Sequence, residues 1–98
     1  MNQTGEIIGV LEEVVCILDR PDTDVAWSRY NNVAEAVSDL SQHIALLRSG
    51  DISRIEDLAS LFAPSGSLQE ISITSGWGER FLCLAAWFDR AIESIRPK

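Results

Sequence analysis

Residues 61–81 read LFAPSGSLQEISITSGWGERF. The stretch carries Pro64, Gly66, Gly76 and Gly78 among serines and threonines, and between Ser65 and Gly78 its only charge is Glu70. Yet Phe62, Leu68, Ile71, Ile73 and Trp77 punctuate it, which a free linker would not hold. On both sides the apolar residues recur at helical spacing. A break of this length in a compact helical chain reads as an ordered crossover, packed by its own apolar side chains. Loops of this kind often carry function, so residues 63–78 are a first place to look for a site. SLQE at 67–70 adds a turn of helix within it, with Leu68 and Ile71 turned inward. The alternative is that the segment only caps the open end of the core.

The flanking helices follow from periodicity. Over residues 4–20, Ile7, Ile8, Val10, Leu11, Val14, Val15, Ile17 and Leu18 share one half of a helical wheel. Glu6, Gly9, Glu12, Glu13, Cys16, Asp19 and Arg20 share the other half. Thr4 is a plausible cap and Pro21 a stop. Cys16 should be exposed, and only Arg20 lies near it to activate the thiol. A second helix over 24–49, capped by Thr23 or Asp24, carries the heptad seam Ala26, Tyr30, Val33, Val37, Leu40, Ile44, Leu47. In a chain this short the seam reads as the spine of an intramolecular bundle. SRIE at 53–56 has the form of a capping box for a short helix, 53–62, lined by Ile55, Leu58, Ala59 and Phe62. The last helix, 76–95, is capped by Ser75 and buries Trp77, Phe81, Leu84, Phe88 and Ile92. Leu82 and Ala86 fall on its opposite face.

The expected fold is therefore all-α. It is one domain, residues 1–98, built as a small bundle of three long helices and one short one, with an ordered loop at 63–75 before the last helix. The expected core is Leu11, Val14, Leu18, Val33, Val37, Leu40, Ile44, Ile55, Leu58, Phe62, Trp77, Phe81, Leu84, Phe88 and Ile92. The 98 residues suffice for one core without staples, and 46% are hydrophobic. Two cysteines far apart, no basic leader at the start and no apolar run of membrane length point to a cytoplasmic protein with reduced thiols.

The net charge is −7, and residues 1–24 hold six acids against one base, Arg20. Such a pole disfavours nucleic acid and anionic membranes, which need basic surface. It favours a basic protein partner, with solubility as the competing explanation. Catalytic signatures are missing from the sequence. Two cysteines and one histidine cannot make a zinc cluster, and no GK[ST] follows the glycines. GSL at 66–68 has no strand before it to form a nucleophile elbow. Adjacent acids such as Glu12 and Glu13 diverge by about 100° on a helix. His43, alone at the edge of the seam, is expected to pack or lie at the surface. The expectation is a non-enzyme with no cofactor and no metal.

The segment FAPSGSLQEISITSGWGERFLCLAAWFD, residues 62–89, resembles a motif of small uncharacterised bacterial helical proteins of immunity-protein type. Size, acidity and the short third helix are also similar to the immunity proteins of nuclease colicins. The chain lacks their Asp-Ser-Pro-x-Gly-Ile turn before the last helix, so the resemblance does not extend to a nuclease as target. It implies a protein that binds and neutralises a cognate toxin or effector domain. For such a partner, the acidic face offers Glu6, Glu12, Glu13 and Asp19, with Asp22 and Asp24 behind it. Trp27 and Trp87 are the aromatic candidates, and Gln69 and Glu70 those of the loop. Tyr30, on the seam, is expected to pack. The alternative is a helical adaptor or homodimer pairing through Trp27, Leu46, Leu82 and Trp87.

Overall fold

A computed structural model describes residues 3–20, 23–26, 28–63 and 66–95. It is all-α, with no strand among the described residues. Three 16-residue helices, α1 (Gln3–Leu18), α2 (Val33–Arg48) and α5 (Gly78–Glu93), form its body. Two 8-residue helices, α3 (Ile55–Phe62) and α4 (Ser67–Thr74), lie between α2 and α5 in the chain. Helix α1 packs against α2 on one side and α5 on the other, while α3 and α4 pack on each other and on α5. Glu12 pairs with Arg48 near the end of α2, and Glu13 with Arg80 near the start of α5. Glu6 meets Trp87 further along α5, so α5 runs antiparallel to α1.

Periodicity dictates α1. Its inward half, Ile7, Val10, Leu11, Val14 and Leu18, is completely buried, and Cys16 lies exposed as its place on the wheel requires. Phe62 stacks between Phe88, at 4.2 Å between ring centroids, and Phe81, at 6.1 Å, so α3 is pinned to α5. Of the expected core, only Val33, Val37 and Ile44 fall short of full burial, packing against its edge.

Four expectations need correction. Helix α2 begins nine residues later than residue 24, because Asn32 and not Thr23 or Asp24 is the cap: its side chain accepts from the Glu35 backbone N–H at 2.8 Å. Glu35 in turn accepts from the Asn31 backbone and side chain, a reciprocal arrangement that stabilises this start. Ser53 does not cap α3; its own N–H donates to Asp51, and the helix starts after Arg54. Thr4 lies within the first turn of α1 rather than before it. The ordered loop at 63–75 is mostly helix α4, and Ser75 ends α4 rather than opening α5. Pro21, the expected stop of the first helix, and Pro64 lie outside the described residues.

The end of α4 shows why its sequence looks like a loop. Gly76 adopts φ +86°, and the N–H groups of Gly76 and Trp77 bond back to the carbonyls of Ile73 and Ser72. That is the left-handed helix stop in which glycine carries no Cβ penalty. At the other end, a Cβ on Gly66 would stand 2.5 Å from the Ser60 carbonyl oxygen and 2.8 Å from that of Leu61, so only glycine lets α4 turn this tightly off α3.

Candidate functional site

The hydroxyls of the 67–75 stretch have a use that no local pattern discloses. Residues 23–26 and 28–32 lie along α4 as a strap outside any helix. At the C-terminal end of α4, the Asp24 backbone N–H donates to Ser75 Oγ at 2.8 Å, and the Asp24 carbonyl accepts from Thr74 Oγ1. At its N-terminal end, the Arg29 backbone N–H donates to Ser67 Oγ. Side-chain hydroxyls thus do for the strap what a neighbouring strand would do in a sheet, satisfying backbone groups that no helix serves.

Under the strap lies a polar cluster on the face of α2 opposite its solvent side. Tyr30, nearly buried, donates its hydroxyl to Asp39 Oδ2 at 2.7 Å. One turn on, His43 is only 2% exposed, and its Nε2 makes no hydrogen bond. That atom stands 3.9 Å from Asp39 Oδ1 and 3.7 Å from Asp57 Oδ2, beyond hydrogen-bond reach. Arg54 clasps Asp57 at 2.7 Å, and Arg29 of the strap approaches the same carboxylate at 3.6 Å. With His43 neutral, two aspartates face two arginines and the charges balance. Burial pushes the Tyr30 hydroxyl well above its ordinary value, helped by the bond to Asp39. Burial also lowers His43 below its ordinary value despite Asp39. The hydrogen bond from Arg54 holds the Asp57 carboxyl below the usual carboxylate range. This corrects the placement of His43 at the seam's edge: it is the centre of the buried stripe Ala36, Leu40, His43, Leu47. The Asp-x-x-x-His spacing at 39–43 was legible as one helix face; the approach of Asp57 and Arg54 was not. Tyr30 packs inward, as its place on the seam suggests.

The candidate interface residues of α1 are only partly free. Glu12 and Glu13 remain about half exposed, yet each bonds an arginine of a flanking helix at 2.9 Å. Glu6 accepts from the indole N–H of Trp87, which packs half-buried against the core. Asp19 is exposed, and no ion pair among the described residues involves it. Asp24 is exposed in its side chain while its backbone is fastened to α4. Gln69 and Glu70 are half-buried residues of α4, not of a loop. Asp22 and Trp27 lie outside the described residues.

Between α1 and α2 runs an open groove of about 520 Å³. Its floor is Val15, Val37 and Ile44, its α1 wall Glu12, Cys16 and Asp19, and its α2 wall Ser41 and Arg48. Elsewhere the exposed large apolar side chains are Leu82 at 64%, Ile73 at 58% and Ile52. No group of three or more His, Cys, Asp or Glu residues that could hold a metal ion occurs among the described residues, and none of the helices searched is long and apolar enough to cross a membrane. No protein-family model matches the chain, and no curated protein or solved structure shows significant similarity to it.

Proposed function

We propose that this protein is a cytoplasmic, non-catalytic immunity protein that binds a cognate bacterial toxin or effector domain and neutralises it by covering its surface. The observation that carries the reading is the division of α1. One half is sealed in the core, while the outer half carries Glu6, Glu12 and Glu13, with Asp19 just past its end, on a protein of net charge −7. Such a field steers a basic partner and raises its association rate more than its final affinity. The arginines that brace Glu12 and Glu13 hold the carboxylates in place, and exposed ion pairs of this kind exchange partners at little cost. The resemblance of residues 62–89 to proteins of immunity type supports the same reading. A homodimeric adaptor is the second reading, favoured by the exposure of Leu82 and Ile73.

The test asks first whether a toxin-sized reading frame adjoins the gene, and pairs the protein with the product of any such frame; its absence counts against the reading. Co-expression should restore growth that the toxin alone arrests. Glu12→Gln, Glu13→Gln and Asp19→Asn together should slow association at low salt and flatten its salt dependence. Neutralisation is the sound choice, because lysines at 12 and 13 would face Arg48 and Arg80. An unchanged association rate would leave the acidic face a solubility device. A dimer at micromolar concentration in light scattering would favour the second reading.

A further inference from the structure

The seam Val33, Val37, Ile44 has the spacing of a buried spine, yet the fold leaves it half covered. Instead Ala36, Leu40, His43 and Leu47 take the interior. Val37 and Ile44 are left facing Val15 across the groove, three β-branched side chains under open space. The groove is wide enough for a row of side chains, and ligand clefts span about 300–1,000 Å³.

Its two ends differ in charge. At one end Glu12 and Arg48 bridge the walls at 2.9 Å and neutralise each other. At the other end stands Asp19, without an ion pair among the described residues, just beyond the last residue of α1. The last turn of α1 contains no basic residue. The carboxylate therefore adds to the negative end of the helix dipole, where a cation is favoured. Arg20, the one base of the first 24 residues, does not line the groove. Between Val37 and Arg48 the α2 wall presents only the small exposed side chain of Ser41, which does not obstruct an approaching backbone.

From this we infer that the groove between α1 and α2 docks an amphipathic helix of the partner, its apolar side chains on Val15, Val37 and Ile44 and a lysine or arginine at Asp19. The inference rests on the reading of the protein as a binder of basic proteins and names the part of the partner that is gripped. A helix laid in a groove is held by anchors at i, i+3, i+4 and i+7. The lined stretches, Glu12 to Asp19 on α1 and Val37 to Arg48 on α2, run roughly 10 and 16 Å at helical rise, about the reach of one such set of anchors.

The two exposed cysteines make the test specific, because Cys16 lies in the groove and Cys83 on α5. The probe is a helical leucine/lysine peptide of roughly 15 residues with leucines at those anchor spacings, set against a composition-matched scramble. Amide shifts of the full protein should centre on Val15, Val37 and Ile44. A bulky maleimide on Cys16 in the Cys83→Ser protein should weaken binding about tenfold, and the same label on Cys83 in the Cys16→Ser protein should not. Val37→Glu, at a half-exposed position, should repeat the loss if circular dichroism shows the fold retained, and Asp19→Asn should weaken binding severalfold. Equal binding of the scramble, shifts centred on Ile73 and Leu82, or indifference to the Cys16 label would overturn the inference. If the neighbouring gene product binds the protein but ignores the Cys16 label, the groove is wrong and the binder reading stands. If that product does not bind while the peptide seats as described, the toxin reading fails and the groove stands.

Discussion

His43 Nε2 stands 3.7 Å from Asp57 Oδ2, a buried imidazole facing the carboxylate of a different helix without a hydrogen bond between them. The carboxylate is taken up by Arg54 at 2.7 Å, and burial, more than any neighbouring charge, lowers the imidazole below its ordinary value. Strap, α2 and α3 meet at this point, and its charge state bears on all three.

Protonation of His43 should loosen the fold. Its folded value lies below the ordinary 6.5, chiefly through burial, so the unfolded chain takes up a proton that the native state refuses. Stability is then complete above about pH 6.5 and declines as pH falls toward the depressed folded value. Asp57 acts in the same direction at lower pH: its folded value is below the ordinary 3.8, so its contribution is present above 3.8 and lost as pH falls through the folded value. Urea unfolding at several pH values should show this slope, and His43→Gln should flatten the upper part of it. A slope unchanged by His43→Gln would assign it to other groups.

The start of α2 can be checked by comparing two candidate caps. Asn32→Ala removes the acceptor of the Glu35 N–H and should cost about 1 kcal/mol. Thr23→Ala, at a position the sequence alone nominates as cap, should leave the helicity of α2 unchanged. Its hydroxyl donates instead to the Leu18 carbonyl at the end of α1.

Leu40 and Val37 belong to one heptad seam but to different environments. Leu40→Ala opens a cavity at a fully buried site and should cost about 2–5 kcal/mol. Val37→Ala, on the groove floor, should cost about 1 kcal/mol or less, since part of its surface already meets water. Equal losses in chemical denaturation would mean that the seam is buried evenly.

Two glycines in the 61–81 stretch should resist alanine for different reasons. Gly76→Ala forces a side chain into the left-handed region and should cost about 1–2 kcal/mol. Gly66→Ala drives a Cβ into the carbonyls of Ser60 and Leu61 and should cost more, because backbone must move to admit it. Unfolding curves that rank Gly76→Ala as the worse variant would contradict the packing of α3 on α4.

Periodicity by itself determined the all-α class, the two faces of α1, the exposure of Cys16 and the aromatic face of α5. Those features depend on neighbours three and four residues apart, and a helix sorts such neighbours wherever it lies. Tertiary structure alone decided where α2 begins, which side of its seam is covered and what surrounds His43. The strap's bonds to Ser67, Thr74 and Ser75 join residues 38, 50 and 51 positions apart, so no local pattern announces them. Those hydroxyls read as loop because Ser and Thr favour turns when nothing distant uses them. Here the strap does use them, and α4 forms beneath it. The same strap and α3 cover one side of α2, which buries His43 and leaves Val37 and Ile44 half exposed in the groove.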